Sequence, residues 1–203
     1  MIISHKHKFI YFKAQKVAGT STEIILGNFC GDQDIVTPIF PPVERIKGAR
    51  NYEGFRNHNI PKYIKNKIGS EIFNSYFKFI TVRNPFDRAV SWYWYKYSES
   101  RLRKSFRDFV LKTRCAGLVS FSNWLFVENK CLIDDYVRYE RLEADTKRIL
   151  GKWFDYDIAF PTAKTKERKS DKHYTEYYDD ETREIIAKKY AKDIEHFGYK
   201  FGE

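Results

Sequence analysis

Three times along this chain an apolar run breaks into a polar loop and then into a helical pattern, and that alternation limits the possible folds more than any other feature. Phe9-Ile10-Tyr11-Phe12 reads as a buried strand, Ala14 to Ser21 as a loop of small and polar residues, and Thr22-Glu23-Ile24-Ile25-Leu26 as the opening of a helix that Gly27 or Gly31 can end. Tyr76 to Val82 is the strongest strand. The loop Arg83-Asn84-Pro85 and a helix carrying Trp92, Tyr93 and Tyr97 follow it. Tyr136 to Tyr139 reads as a third strand, before a helix through Leu142, Ile149 and Leu150. Strands alternating with helices predict an α/β fold: a single domain over residues 1–203 with a central, mainly parallel sheet flanked by helices, and ligands bound beyond the carboxyl ends of the strands.

The remaining segments fit that frame. Pro38 to Tyr52 holds three of the six prolines and must be irregular. Pro61 suits the first turn of a helix whose Ile64, Ile68 and Ile72 recur every fourth residue. Residues 101–131 read as mainly helical and loop-like. The run Lys164 to Lys172 is a basic loop, and a last helix from about Asp180 presents Ile186, Tyr190 and Ile194 before a stop at Gly198. The start, Met1 to Lys8, reads as a flexible, solvated segment with no apolar signal-peptide core, which places the work in the cytoplasm. No apolar run reaches the roughly 20 residues of a membrane span. Cys30, Cys115 and Cys131 form no C-x-x-C pair, so reduced thiols and no metal site are expected.

Charge narrows the ligand. The chain carries 37 Lys and Arg against 27 Asp and Glu, a net +10, which suits an anion of some kind or simply a solvated basic surface. Lys16-Val17-Ala18-Gly19-Thr20-Ser21 sits where a strand meets a helix, and helix starts bind anions because their first N–H groups lack partners and face the positive end of the dipole. Gly19 permits close backbone approach, Thr20 and Ser21 add hydroxyl donors, and Lys16 adds a mobile charge. The segment is P-loop-like without being a nucleoside-triphosphate P-loop. G-x-x-x-x-G-K-[ST] would need Gly at 14 and Lys at 20, where this chain has Ala14 and Thr20. Alone, the hexapeptide fits an ordinary β–α turn equally well.

A second segment repeats the logic. Arg83 leaves the strongest strand where a guanidinium can grip phosphate in bidentate fashion, Asp87 can cap the next helix, and Ser91 lies one turn beyond it. Together, Lys16–Ser21 and Phe79-Ile80-Thr81-Val82-Arg83-Asn84-Pro85-Phe86-Asp87-Arg88 through Ser91 resemble the 5′-phosphosulfate loop and the 3′-phosphate motif of sulfotransferases that use 3′-phosphoadenosine 5′-phosphosulfate (PAPS). The likeness is strongest to the heparan- and chondroitin-type carbohydrate branch, sulfotransferase family 2, and its short bacterial or viral forms. The ending Tyr177-Tyr178-Asp179-Asp180 through Asp193 and Phe197-Gly198-Tyr199 is similar to that branch as well.

That resemblance implies a set of roles. Lys16, Val17, Ala18, Gly19, Thr20 and Ser21 would hold the 5′-phosphosulfate, and Arg83 and Ser91 the 3′-phosphate. The basic run Glu167-Arg168-Lys169-Ser170 is similar to a late segment that closes over the 3′-phosphoadenosine end, which gives Arg168 and Lys169 to the donor, though a solvated charge run fits it nearly as well. Lys16 would stabilise the departing phosphate oxygen. His58 would take the acceptor's proton, with His173 in reserve. The acceptor would be a hydroxyl, most simply on a glycan or glycoconjugate, with Trp92 to Tyr95 or Arg56, Lys62, Lys65 and Lys67 as candidate contacts. The product would be 3′-phosphoadenosine 5′-phosphate (PAP), with no metal, nucleic acid or membrane involved. A P-loop-like nucleotide kinase and a non-catalytic polyanion binder are the alternative readings.

Overall fold

The structure, a computed structural model, describes residues 1–39, 48–97, 104–155 and 170–203. In chain order the elements are β1 (Ile2–Ser4), β2 (Phe9–Phe12), α1 (Gly19–Phe29), β3 (Ile35–Val36), α2 (Pro61–Ile68), α3 (Ser70–Ser75), β4 (Phe77–Val82) and α4 (Pro85–Tyr97). There follow α5 (Phe106–Thr113), α6 (Ser122–Leu125), β5 (Phe126–Val127), β6 (Lys130–Cys131), β7 (Asp135–Arg138), α7 (Leu142–Leu150), α8 (Asp180–Lys189) and α9 (Ala191–Phe197). The described residues gather into two compact units, 1–39, 48–82 and 125–155 in one, and 83–97, 104–124 and 170–203 in the other. No described helix is long and apolar enough to cross a membrane.

The first unit is an α/β layer with a five-stranded sheet in the order β3-β1-β2-β4-β7. β2, β4 and β7 pair in parallel, with Tyr11 opposite Phe79 and Ile80 opposite Tyr136. β1 runs antiparallel to both β2 and β3. The sheet is therefore mixed, with the parallel core that the alternating pattern predicts. β2 is buried along its whole length and β4 nearly so, which is why each reads as a continuous apolar run rather than an alternating one. Phe9, Tyr11, Phe79 and Val137 pack with Ile25 and Leu26 of α1 and with Ile149 and Leu150 of α7.

β1 corrects the sequence reading. Met1, Ile2 and Ile3 are fully buried, and the His-Lys-His-Lys run is the turn of a hairpin rather than a solvated tail. Asp34 ties that turn down, accepting from the Ser4 hydroxyl at 2.7 Å and from the backbone N–H groups of His5 and Lys6. His5 bonds the Tyr76 hydroxyl at 2.8 Å, and His7 packs edge-on against Phe154. Two helices are also shorter than their periodicity implies. Gly69, at φ 86, breaks the run behind Pro61, so Ile72 is exposed and Phe73 is buried instead. Tyr190 separates α8 from α9. α1 starts three residues earlier than expected, at Gly19, and runs past Gly27.

The second unit is helical. Phe86, Val90, Tyr93 and Trp94 of α4 share a core with Phe106 and Phe109 of α5 and with Tyr174, Ile186 and Tyr190. Trp92, Tyr93 and Trp94 are each at most 5% exposed, which removes them from acceptor contact; Tyr95 alone of the four is exposed. The family-like ending does structural work. Asp179 caps α8 through the Thr182 N–H at 2.8 Å, and the fully buried Asp193 accepts from the Phe121 and Ser122 N–H groups at 2.7 Å each.

Candidate active site

In the first unit, β2 ends at Phe12 and the chain loops over Lys13–Ala18 into α1. Lys16 and Ala18 both adopt left-handed backbone, at φ 62 and φ 56, which costs a residue with a side chain about 1–2 kcal/mol each. Strain of that kind persists where the surrounding structure demands it, and left-handed residues just before a helix turn successive N–H groups toward one concave face. Ala18 supplies no side-chain cap to α1, and the first turn carries no acidic residue. The helix start is thus kept positive, as an anion cradle requires. Thr20 and Ser21 lie in this turn and are almost fully buried, and the Ser21 N–H is bonded to the Ala18 carbonyl at 3.1 Å.

Gly19 has a sharper role than backbone freedom. A Cβ there would meet Lys13 Cγ at 2.8 Å and the Tyr11 hydroxyl at 2.9 Å. The helix can approach β2 this closely only because position 19 has no side chain. Tyr11 is fully buried and shares a hydrogen bond of 2.8 Å with Thr81.

His58 belongs to the same unit, and its Nδ1 lies 2.8 Å from the Lys13 carbonyl oxygen. A carbonyl only accepts, so Nδ1 carries the proton and Nε2 keeps its lone pair. The ring retains an exposed face, yet desolvation by the surrounding protein lowers its pKa from the usual 6.5, and the Lys13 charge lowers it further. That direction favours the neutral imidazole. His173, the reserve candidate, is instead an exposed capping residue whose Nδ1 meets the Thr175 hydroxyl.

Sequence reasoning passed over what lies beneath the loop. Lys13, 7% exposed, places its ammonium on the Glu23 carboxylate, and Glu23 also accepts from the Met1 amine. Asn57, next to His58, accepts from the Met1 amine at 2.9 Å and from the Thr37 hydroxyl at 2.8 Å, and donates to the Pro38 carbonyl. The readable signal was a lysine at the buried end of a strand, since Lys is rarely so enclosed unless paired.

In the second unit, Arg83 is 6% exposed and directs Nε, at 2.8 Å, and a terminal nitrogen, at 2.6 Å, onto Asp87 Oδ2. Asp87 therefore holds Arg83 instead of capping the helix. The cap is Asn84, whose Oδ1 accepts from the Phe86 N–H at 3.1 Å. Ser91 lies four residues after Asp87 on α4 and is partly buried. Arg88, the neighbouring cation, is structural: it donates to the Val119 carbonyl at 3.0 Å and sits 4.1 Å over the Phe121 ring, and burial lowers its pKa to about 10. Arg168 and Lys169 lie outside the described residues.

A parallel-cored α/β sheet whose strand feeds an uncapped helix start is an architecture that holds phosphate-bearing ligands. Comparison with known proteins gives the family. The Sulfotransferase family matches residues 1–200, nearly the whole chain, so this chain belongs to the sulfotransferase family and is a sulfotransferase. A stretch of 92 residues is 30% identical to a protein of Archaeoglobus fulgidus named only as uncharacterized, covering 44% of this chain and 77% of that protein. No solved structure matches.

Proposed function

We propose that this sulfotransferase moves a sulfuryl group from PAPS to a hydroxyl of a carbohydrate acceptor, acting as one domain over residues 1–203. The observation that carries the reading is the pairing of a strained, uncapped loop at Lys16–Ser21 with His58 tethered to the backbone of the same loop. The loop's N–H groups and the Thr20 and Ser21 hydroxyls take the non-reacting oxygens of the 5′-phosphosulfate, and Lys16, in its left-handed pose, stabilises the bridging oxygen. Arg83 and Ser91 take the 3′-phosphate, with Arg168 and Lys169 as further contacts to that end.

In the reaction the acceptor hydroxyl gives its proton to His58 Nε2 as its oxygen bonds to sulfur. The bond from sulfur to the 5′-phosphate oxygen breaks in line, and the electron pair leaves with PAP. No metal is needed, because Lys16 and the helix start meet the charge that develops. Carbohydrate is the acceptor class implied by the family resemblance. Tyr95 and the exposed Arg56, Lys62 and Lys67 are the candidate contacts for it.

Calorimetric titration with PAP tests the donor half. Wild type should bind, and Arg83→Ala should bind about ten- to a hundred-fold more weakly, the range for hydrogen bonds to a charged group. Indifference of the wild-type protein to PAP would sink the reading. Turnover of ATP with Mg²⁺ in its place would favour a kinase.

A further inference from the structure

Lys13 touches both halves of the proposed machinery without belonging to either. Gly19 and Glu23 are four residues apart and share a face of α1. The Lys13 stem lies against Gly19, so that a Cβ there would meet Cγ at 2.8 Å and Cδ at 3.5 Å, and its ammonium reaches Glu23. The side chain is laid along the first turns of the helix that begins at the phosphate loop. Both partners of the ion pair are nearly closed to solvent, with side chains 8% and 2% exposed, so the pair is a fixed strut and not a mobile surface contact. From the other side of the same residue, the main-chain carbonyl accepts from His58 Nδ1 at 2.8 Å.

We infer that Lys13, pinned by Glu23, is a positioning residue that couples the phosphate loop to the base, its carbonyl fixing which nitrogen of His58 is left to accept a proton. The inference rests on the reading of His58 as the base. A free imidazole interconverts between two tautomers, and one hydrogen bond to a carbonyl biases the ratio by up to about tenfold. If the strut loosens, the carbonyl drifts and that bias is lost.

The charges around the ring add an independent signature. Those acting on His58 are the Lys13 ammonium and the Met1 amine, which lower its pKa, and the Glu23 carboxylate, which raises it. The hydrogen bond to the Lys13 carbonyl also raises it, so neutralising Glu23, which removes a raising charge and loosens that carbonyl, should lower the His58 pKa further.

The test is a long-range ¹H–¹⁵N spectrum of the imidazoles across pH, with the His58 signal assigned among the five histidines by its loss in His58→Ala. Wild type should show the Nδ1–H tautomer. Glu23→Gln, which keeps the shape, and Lys13→Met, which keeps the stem, should both shift population toward Nε2–H, and Glu23→Gln should also move the titration to lower pH. Lys13→Arg, which restores the ion pair, should return the wild-type spectrum. If Lys13→Met does not fold, Glu23→Gln and Lys13→Arg decide the matter alone. An unchanged tautomer and titration in Glu23→Gln overturns the inference, whatever His58→Ala does to turnover. Full turnover by His58→Ala would remove the base reading instead and leave the spectroscopic result standing.

Discussion

Gly19→Ala adds one methyl group at the closest approach of α1 to β2, and the structure gives its cost. The new carbon would lie 2.8 Å from Lys13 Cγ and 2.9 Å from the Tyr11 hydroxyl, both well inside van der Waals contact. Neither neighbour yields easily. Tyr11 is fully buried and bonded to Thr81, and Lys13 is held by Glu23. Overpacking of a filled site costs about 1–3 kcal/mol, and two immovable neighbours place this case in the upper half of that range. Against it stands the ordinary gain of alanine over glycine in a helix, about 1 kcal/mol. The net loss is about 1–2 kcal/mol, which for a chain of this size lowers Tm by about 2–8 °C. Urea unfolding of wild type, Gly19→Ala and Gly48→Ala measures it. Gly48 is the control, because a Cβ there meets no atom of the described residues within 4 Å and its change should be neutral or slightly stabilising. Equal stability of Gly19→Ala and wild type would refute the claim that position 19 is defined by close packing.

Four further outcomes can be measured. His58→Ala should lower turnover by about 10²–10⁴-fold while leaving PAP affinity nearly intact. Because burial holds the His58 pKa below its usual 6.5, wild-type turnover should be flat near pH 7 and fall only as the pH drops through that lowered value; an acid limb centred above 6.5 in the pH–rate profile contradicts the assignment. Lys16→Ala should depress turnover more than PAP affinity, whereas equal losses in single-turnover rate and calorimetric affinity would make Lys16 a binding residue only. Asp193→Ala leaves the Phe121 and Ser122 N–H groups without their buried acceptor, and denaturant unfolding should show a loss of about 3 kcal/mol or more.

Much of the fold was legible because β2 and β4, two of its three parallel strands, are buried on both faces. Continuous apolar runs such as Phe9–Phe12 and Phe77–Val82 announce themselves without an alignment. β1 was not legible, because three residues are too few to show a period and the basic turn beside them looks like a solvated tail. β3 and the β5–β6 hairpin, with strands of two residues, fail for the same reason. At the candidate site, residue types marked Lys16–Ser21, Arg83 and His58. What they could not show was conformation and partnership: the left-handed pose of Lys16 and Ala18, the Asp87 carboxylate on Arg83, and the tether from His58 to Lys13. Those depend on which backbone groups the fold brings side by side. Asp87 illustrates the limit, for an aspartate near a helix start reads as a cap, whereas here it meets Arg83 and the Asn84 Oδ1 accepts from the Phe86 N–H.

The Asp87 clamp on Arg83 has a consequence for how quickly a ligand can come and go. A free arginine side chain gives up about 2 kcal/mol of rotamer entropy when it is immobilised. Here that loss has already been met during folding, so on the proposed reading the 3′-phosphate would meet a guanidinium already held in place and need not organise it. The same carboxylate takes a share of the cation's charge, which moderates the grip on an anion that must later depart. With PAPS as the proposed donor, whose spent form keeps both its phosphates, a held but tempered arginine would serve repeated turnover better than a fully exposed one.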